Sequence, residues 1–215
     1  VINRILPPSN EHVNGTAVIF AKTEKMLIDD LNSLWTEEGL KVQDLELAKR
    51  QAKSLLTKKK EALGLRASFL EAFVNGIDDF KGHLGEIFTV NLDEFAAYAT
   101  DESKSCFIEK IDLYYDCELT RKGVILVDTP GADSINARHT GTSFNYIKHS
   151  DAICFITYYN HPFSRADRTF LDQLGRVKDS FSRDKMFFLL NAADLAADEQ
   201  ERELVVEYLD SQLRE

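Results

Sequence analysis

Apolar residues recur along this chain with two different periods, and the change of period divides it. Thr16 to Ala21 is a short run rich in β-branched and aromatic side chains and predicts a strand. Residues 24–35 read as a helix. Leu45, Ala48, Ala52, Leu55 and Leu56 lie at helical spacing and predict a long charged helix from Leu40 to Ala62. Gly64 ends that pattern. Phe69, Leu70, Phe73, Val74, Ile77 and Phe80 then mark a second amphipathic helix, expected to pack on the first as a hairpin. Residues 92–99 predict one more short helix.

Beyond residue 100 the period of two takes over. Ile111, Leu113, Tyr115 and Cys117 alternate with Asp112, Tyr114 and Asp116, which predicts a half-buried strand. The turn Thr120-Arg121-Lys122-Gly123 leads into Val124-Ile125-Leu126-Val127, so an antiparallel hairpin with a fully buried second strand is expected. A helix is expected near Thr142–Lys148. Ala152–Tyr158 and Met186–Leu190 read as buried parallel strands. Between them, Ser164 and Asp167 form a capping-box pattern, and Phe170, Leu171, Leu174 and Val177 give the helix an inner face. An acidic helix follows from about Ala197. Val1 to Ile5 reads as the end of a helix. Repeated strand–helix units predict a three-layer α/β domain.

The 215 residues carry a net charge of −10, which argues against non-specific nucleic-acid binding. Lys41, Lys49, Arg50, Lys53, Lys58, Lys59 and Lys60 run against that balance. Such a row is either a solvated helix face or a contact surface for acidic lipid or a partner. Cys106, Cys117 and Cys154 fit no paired metal spacing and suggest a reduced compartment. No apolar run approaches the ~18 residues of a membrane span.

Chemistry concentrates at two strand ends. A nucleoside triphosphate needs backbone N–H donors for its phosphates and hard oxygens for its magnesium. Asp128, closing the run Val124–Val127, is placed to hold the ion directly or through water. Gly131 can offer its N–H to the terminal phosphate, and Pro130 stiffens the turn between them. An ordinary strand-to-loop turn would use the same residues. Asn191-Ala192-Ala193-Asp194 closes the run from Met186. The Asp194 carboxylate can accept from the N1 and N2 donors of guanine, which adenine lacks. Asn191 can bridge the base and the surrounding loops. Thr16 follows a loop from Ser9 to Gly15. Its hydroxyl can bind magnesium and its N–H the terminal phosphate, ordering the loop when the triphosphate is present. A phosphate-binding loop G-x-x-x-x-G-K-[ST] is missing, because no two of the ten glycines lie five apart and none precedes a lysine. The strand that leads into that loop is expected to lie upstream of Val1.

These strings resemble the GTPase domain of the dynamin superfamily, and within it the bacterial dynamin-like proteins of the DynA type. The resemblance is carried by Leu113 to Thr120, Asp128 to Thr140, Tyr158 to Asp167 and Asn191 to Leu195, and more weakly by Leu6-Pro7-Pro8-Ser9 with Thr16. It implies a P-loop-NTPase-like, mostly parallel sheet whose first strand is absent from the chain. Residues 1–22 and 100–215 would form the core, and 23–99 a helical insertion. It implies GTP as substrate and Mg2+ as cofactor, with Thr16 as the first-switch catalytic threonine and a metal ligand. Asp128 and Gly131 would belong to the second switch, with Asp128 on the metal, and Asn191 with Asp194 would read guanine. It further implies GTP/GDP binding, self-association through the GTPase face, and a cytoplasmic protein peripheral at the inner face of the cell membrane. Membrane contact would be made by regions outside this chain, driving remodelling, tethering or fusion. The alternative is a GTPase-like tethering module that does not hydrolyse nucleotide. Two departures stand out: Ala192 replaces the lysine usual in the base-reading motif, and Ala132 stands where small GTPases place a water-orienting glutamine.

Overall fold

The computed structural model describes residues 1–36, 39–64, 66–129, 146–176 and 185–214. The chain divides into two compact units, residues 1–139 and 140–215, described separately below.

The first unit is built on a five-stranded sheet. Its strands are β1 (Ile2–Leu6), β2 (Thr16–Ala21), β3 (Ile87–Asn91), β4 (Ile108–Tyr114) and β5 (Leu126–Asp128), in the order β3-β2-β4-β1-β5. β2 pairs antiparallel with β3 and β4, while β1 runs parallel to β4 and antiparallel to β5. The sheet is therefore mixed. β3 falls inside residues 23–99, a stretch read from sequence as helical.

Four sequence expectations change here. Val1 to Ile5 does not end a helix; β1 is a strand and occupies the position between β4 and β5. The hairpin expected between residues 107–117 and 124–128 consequently does not form, and the short helix α6 (Glu118–Arg121) fills its turn. β5 is not buried, since among the described residues it has a neighbouring strand on one side only. Val124, Ile125, Leu126 and Val127 are each more than a third exposed. β4, by contrast, is central. Its Asp112, expected on a wet face, is buried and accepts from Arg4 Nε at 2.6 Å across the β1 pairing. The guanidinium supplies the counter-charge that makes burying the carboxylate tolerable.

Helices α1 (Glu24–Leu34), α2 (Leu45–Leu63) and α3 (Arg66–Phe80) form the apolar layer on this sheet. Thr23 caps α1 through Met26 N, and Asp44 caps α2 through Leu47 N. That cap sets the start of α2 five residues later than its periodicity suggested. Gly64 ends α2 at φ 53° and ψ −130°, a positive-φ conformation that costs glycine little. The inner faces join in one core that includes Leu27, Leu31, Trp35, Ala48, Ala52, Leu70, Phe73 and Phe107. α4 (Leu92–Thr100) and α5 (Glu102–Ser105) lead back to β4. α3 meets α5 at Gly76, where a Cβ would lie 1.9 Å from the Ser103 carbonyl oxygen, so only glycine fits without movement.

The core also contains an ion pair. Lys22 Nζ lies 2.9 Å from Asp30 Oδ2 and donates to the Cys106 carbonyl at 2.8 Å, with both charged residues at least 95% buried. Burial pushes the neighbouring Cys106 thiol up to about 12, leaving it protonated and unreactive at neutral pH.

The second unit holds the parallel pair β6 (Ile153–Tyr158) and β7 (Met186–Asn191), with α7 (Arg165–Arg176) between them in sequence and α8 (Glu199–Arg214) after them. The capping box forms as the spacing predicts: Ser164 N donates to Asp167 Oδ2 at 2.8 Å, and Asp167 N to Ser164 Oγ at 3.1 Å. Leu174 is buried on the inner face, whereas Val177 lies outside the described residues. Neither strand is fully buried. Cys154, Ile156, Tyr158, Phe187 and Leu189 form an exposed face. Of the helix expected at Thr142–Lys148, residues 146–149 are described and helical.

Removing one member of the Lys22–Asp30 pair strands the other charge in the core. Lys22→Met is expected to cost about 3–5 kcal/mol in urea unfolding, and Lys22→Met/Asp30→Leu to recover most of it. A single variant as stable as the parent would show that the pair is not the buried anchor described.

Candidate nucleotide site

The candidate residues fall in both units. In the first unit, Thr16 opens β2 behind a loop that the end of β4 holds. Gly15, at φ 80°, donates its N–H to the Tyr114 carbonyl at 2.8 Å. Asn14 Oδ1 accepts from Asp116 N at 2.7 Å, and the His12 ring stacks on Tyr114 at 4.3 Å between centroids. Within the loop, Ser9 Oγ accepts from the backbone N–H groups of Glu11 and His12. The loop is thus tied to the sheet by its own polar residues. Thr16 Oγ1 donates to the Val13 carbonyl at 2.7 Å. A hydroxyl that donates its proton in this way retains lone pairs for a cation.

Asp128 closes β5. Its Oδ2 accepts from Asn3 Nδ2 at 3.2 Å, across the register that pairs Asn3 with Asp128. Asn3 Oδ1 is buried and has no hydrogen-bond partner among the described residues. No local pattern singles out Asn3, because its place depends on β1 lying beside β5. Thr16 and Asp128 are not brought together. Asp128 lies level with Ile19 through Asn3 and Ile111, three residues along β2 from Thr16. Three strand spacings and three residues of rise separate them by roughly 17 Å. Pro130 and Gly131 lie outside the described residues.

In the second unit, Asn191 ends β7. Its carbonyl accepts from Tyr159 N at 3.0 Å, tying it to the turn after β6, and its Oδ1 accepts from Ala192 N at 2.9 Å. That turn is closed by His161 N donating to the Tyr158 carbonyl at 2.9 Å. Ala192 follows with φ 59° and ψ 34°, and among the described residues it alone is non-glycine with positive φ. The chain then enters a short 3-10 turn, Ala193–Leu195. The left-handed step turns the backbone sharply, leaving Asp194 exposed. Its carboxylate has no hydrogen-bond or ion-pair partner among the described residues. It can therefore accept two donors at once from a ligand. The site lies at the carboxyl ends of parallel strands, where open α/β sheets bind ligands.

The donor types suit magnesium, which takes one or two carboxylates and fills its remaining positions with phosphate and water. Asp128 would supply such a carboxylate. Among the described residues no cluster of three or more His, Cys, Asp or Glu forms a self-contained metal site.

Each of the two units is α/β, and each carries a carboxylate at the end of a strand or in the turn after it. The chain belongs to the dynamin family, whose family model matches residues 3–193. It is 38% identical to Dynamin-like protein A of Bacillus subtilis (strain 168) over 214 residues, covering 99% of this chain and 18% of that protein. It is 28% identical over 120 residues to an uncharacterized protein in the xynA 3′ region of Caldicellulosiruptor sp. (strain Rt8B.4), covering 54% of this chain and 28% of that one. The chain thus spans less than a third of the length of either relative. Two chains of an oligomerised bacterial dynamin pair, described as sensing and tethering membranes, share its fold. Their TM-scores are 0.63 and 0.65 at 16% and 15% identity, with 99% of this chain covered, against 25% and 30% of theirs.

The left-handed Ala192 yields a local prediction. Ala192→Gly is expected to be neutral or stabilising by up to about 1 kcal/mol, and Ala192→Val to destabilise by more than about 1 kcal/mol, because a branched Cβ is strained at that φ. Thermal or urea unfolding of both variants tests the turn, and a tolerated valine would contradict the geometry.

Proposed function

We propose that the chain is the nucleotide-reading part of a dynamin-like GTPase that binds and hydrolyses GTP to drive self-assembly and membrane remodelling, tethering or fusion. One observation carries the reading: the exposed, unpartnered Asp194 carboxylate on a turn braced through Asn191. A carboxylate so placed matches the paired N1 and N2 donors of guanine, and Asn191 fixes its approach. The family match supports the same reading.

In this proposal Asp128 contributes a carboxylate to the magnesium shell, and Gly131 an N–H to the terminal phosphate. Thr16 is the first-switch residue, with hydroxyl and N–H directed at metal and phosphate. Its ~17 Å separation from Asp128 requires one of the two segments to move before both can serve a single ion. The lysine and hydroxyl of a phosphate loop are not among the 215 residues and would come from elsewhere in a longer protein. β5 presents an open apolar edge that can accept the strand leading into that loop, which would extend the sheet toward the three-layer, mostly parallel arrangement. Residues 23–99 form the insertion on this core, and 1–22 with 100–215 the core itself. Self-association through the GTPase face and a place at the inner face of the cell membrane belong to the same reading. Among the described residues no helix is long and apolar enough to cross a membrane.

The base-reading assignment is tested in a protein that carries the phosphate loop. Asp194→Asn replaces two acceptors by one acceptor and one donor, so GTP affinity should fall by about 10²-fold or more while xanthosine triphosphate gains. Unchanged discrimination between the two bases would remove Asp194 from the site. Binding without turnover in the unsubstituted protein would favour the non-hydrolysing tethering module. The 215 residues alone are expected to show background GTP turnover only, unaltered by Asp128→Ala. Turnover lost on that substitution would overturn the assignment of the phosphate loop to another segment.

A further inference from the structure

β3 is the longer of the two strands that border the five-stranded sheet, and among the described residues no strand pairs with its outer side. Its ladder with β2 shows which groups point outward. Ala21 N donates to Glu86 O at 3.0 Å, and from that pair the bonded pairs alternate to Ile19–Phe88 and Ala17–Val90. The N–H and C=O groups of Ile87 and Thr89 therefore face away from β2. Asn91 N, of the same parity, donates to Glu94 Oε2 at 3.2 Å in the capping box of α4, which closes the strand at that end. The side chains agree, since Thr89 is exposed and Ile87 is 65% exposed. Natural sheet edges are guarded by charge, proline, a bulge or a covering element. Ile87-Phe88-Thr89-Val90-Asn91 has no charge and no proline, and its register with β2 runs without a break.

We propose that β3 is a self-pairing edge, through which two copies of the chain join antiparallel about a two-fold axis. This contact is separate from self-association through the GTPase face and needs no nucleotide. Centred on Phe88, the pairing sets Ile87 opposite the partner's Thr89 and Thr89 opposite the partner's Ile87. Each pair exchanges both of its backbone hydrogen bonds, so the outward N–H and C=O groups of both strands are all satisfied. Phe88 meets the partner's Phe88 in the close, non-bonded pair at the axis. Its ring is already held against His83 and Tyr98, with centroids 5.9 and 5.5 Å away, so the aromatic pair needs little further ordering. On the other face of the sheet, the exposed Ile87 gains a β-branched neighbour in the partner's Thr89. No like charges face each other within the paired residues. Beyond them, the symmetry brings the acidic first turn of α4, with Asp93 and Glu94, to the side of the partner's Lys81. A foreign peptide would meet the same backbone groups, but a second copy supplies this match at both ends at once. Two five-residue strands bury less than the ~1,200 Å² of a stable interface, so the dimer is weak and reversible.

The test is sedimentation equilibrium of the full chain without nucleotide. The chain should pass from monomer to dimer with a Kd on the order of 10–100 µM. The dimer should tighten as salt rises to about 0.3 M, because each copy carries a net charge of −10. Amide hydrogen exchange reads the register. The Ile87 and Thr89 amides should slow roughly ten-fold at concentrations well above the Kd, while those of Phe88, Val90 and β5 stay as they are. Thr89→Pro removes two of the four hydrogen bonds across the axis and none to β2, so it should weaken the dimer at least about ten-fold. Ile87→Lys leaves the backbone intact and should weaken it comparably. Circular dichroism melts verify that both variants fold. Leu126→Lys, on the opposite edge of the sheet, changes the charge equally and should dimerise as the parent does. A chain that stays monomeric, a dimer untouched by both β3 variants, equal loss in the β5 control, or slowed exchange on β5 in place of β3 would each overturn the proposal. So would slowing of Ile87 and Thr89 only on adding a foreign strand, the peptide acetyl-Thr-Val-Thr-Val-Thr-amide.

Discussion

Lys22 is the point at which the first unit is tied together. It follows β2 directly, and its amine bridges the Asp30 carboxylate of α1 and the Cys106 carbonyl just before β4. Its backbone N–H donates to Phe107 O, and its carbonyl accepts from Gly85 N. One residue thereby holds a strand end, a helix and the two segments that re-enter the sheet after the helical layer. A buried lysine is costly unless every proton is matched, so the three segments are held in place together or the charge is left exposed to the core. Stacking of Phe80 on Phe107, with ring centroids 5.0 Å apart, closes the apolar side of this junction.

From this junction the candidate residues acquire their positions. β2 leaves Lys22 backwards to Thr16, and β4 runs from Phe107 to Tyr114, so the two ends meet where the Ser9–Gly15 loop is held. The opposite flank of the sheet is less secured. β5 is three residues long and, among the described residues, pairs only with β1. Asp128 thus sits on the part of the frame most open to rearrangement. The frame is thus firm around Thr16 and more open around Asp128.

Local patterns in the sequence were legible where the stabilising partner is also local. Ser164 and Asp167 satisfy each other within one turn, Gly64 stops its own helix, and the β-branched run from Thr16 becomes a strand wherever it pairs. The errors arose where the deciding partner is remote. Val1-Ile2-Asn3-Arg4-Ile5-Leu6 carries apolar residues at spacings that suit a helix or a strand, and β4 settles the choice. Asp112 reads as a wet residue by alternation because Arg4 is out of view. Four consecutive apolar residues before Asp128 suggest burial, yet a strand with one neighbour remains exposed. For the site, residue types at strand ends were visible, whereas the Asn3 contact and the left-handed step at Ala192 required the backbone path.

The placement of β1 has a consequence for how the chain is made. Arg4 and Asp112 are 108 residues apart in sequence, and Asn3 and Asp128 are 125 apart. β1 therefore leaves the ribosome well before its partners and waits for them while the α1–α3 layer is synthesised and can begin to pack. Its two neighbours emerge only near the end of the unit, and closing so long a loop is among the slowest contacts a chain can make. β1 is held late, and until then its bare edge is exposed to nascent-chain traffic and the cell's chaperones.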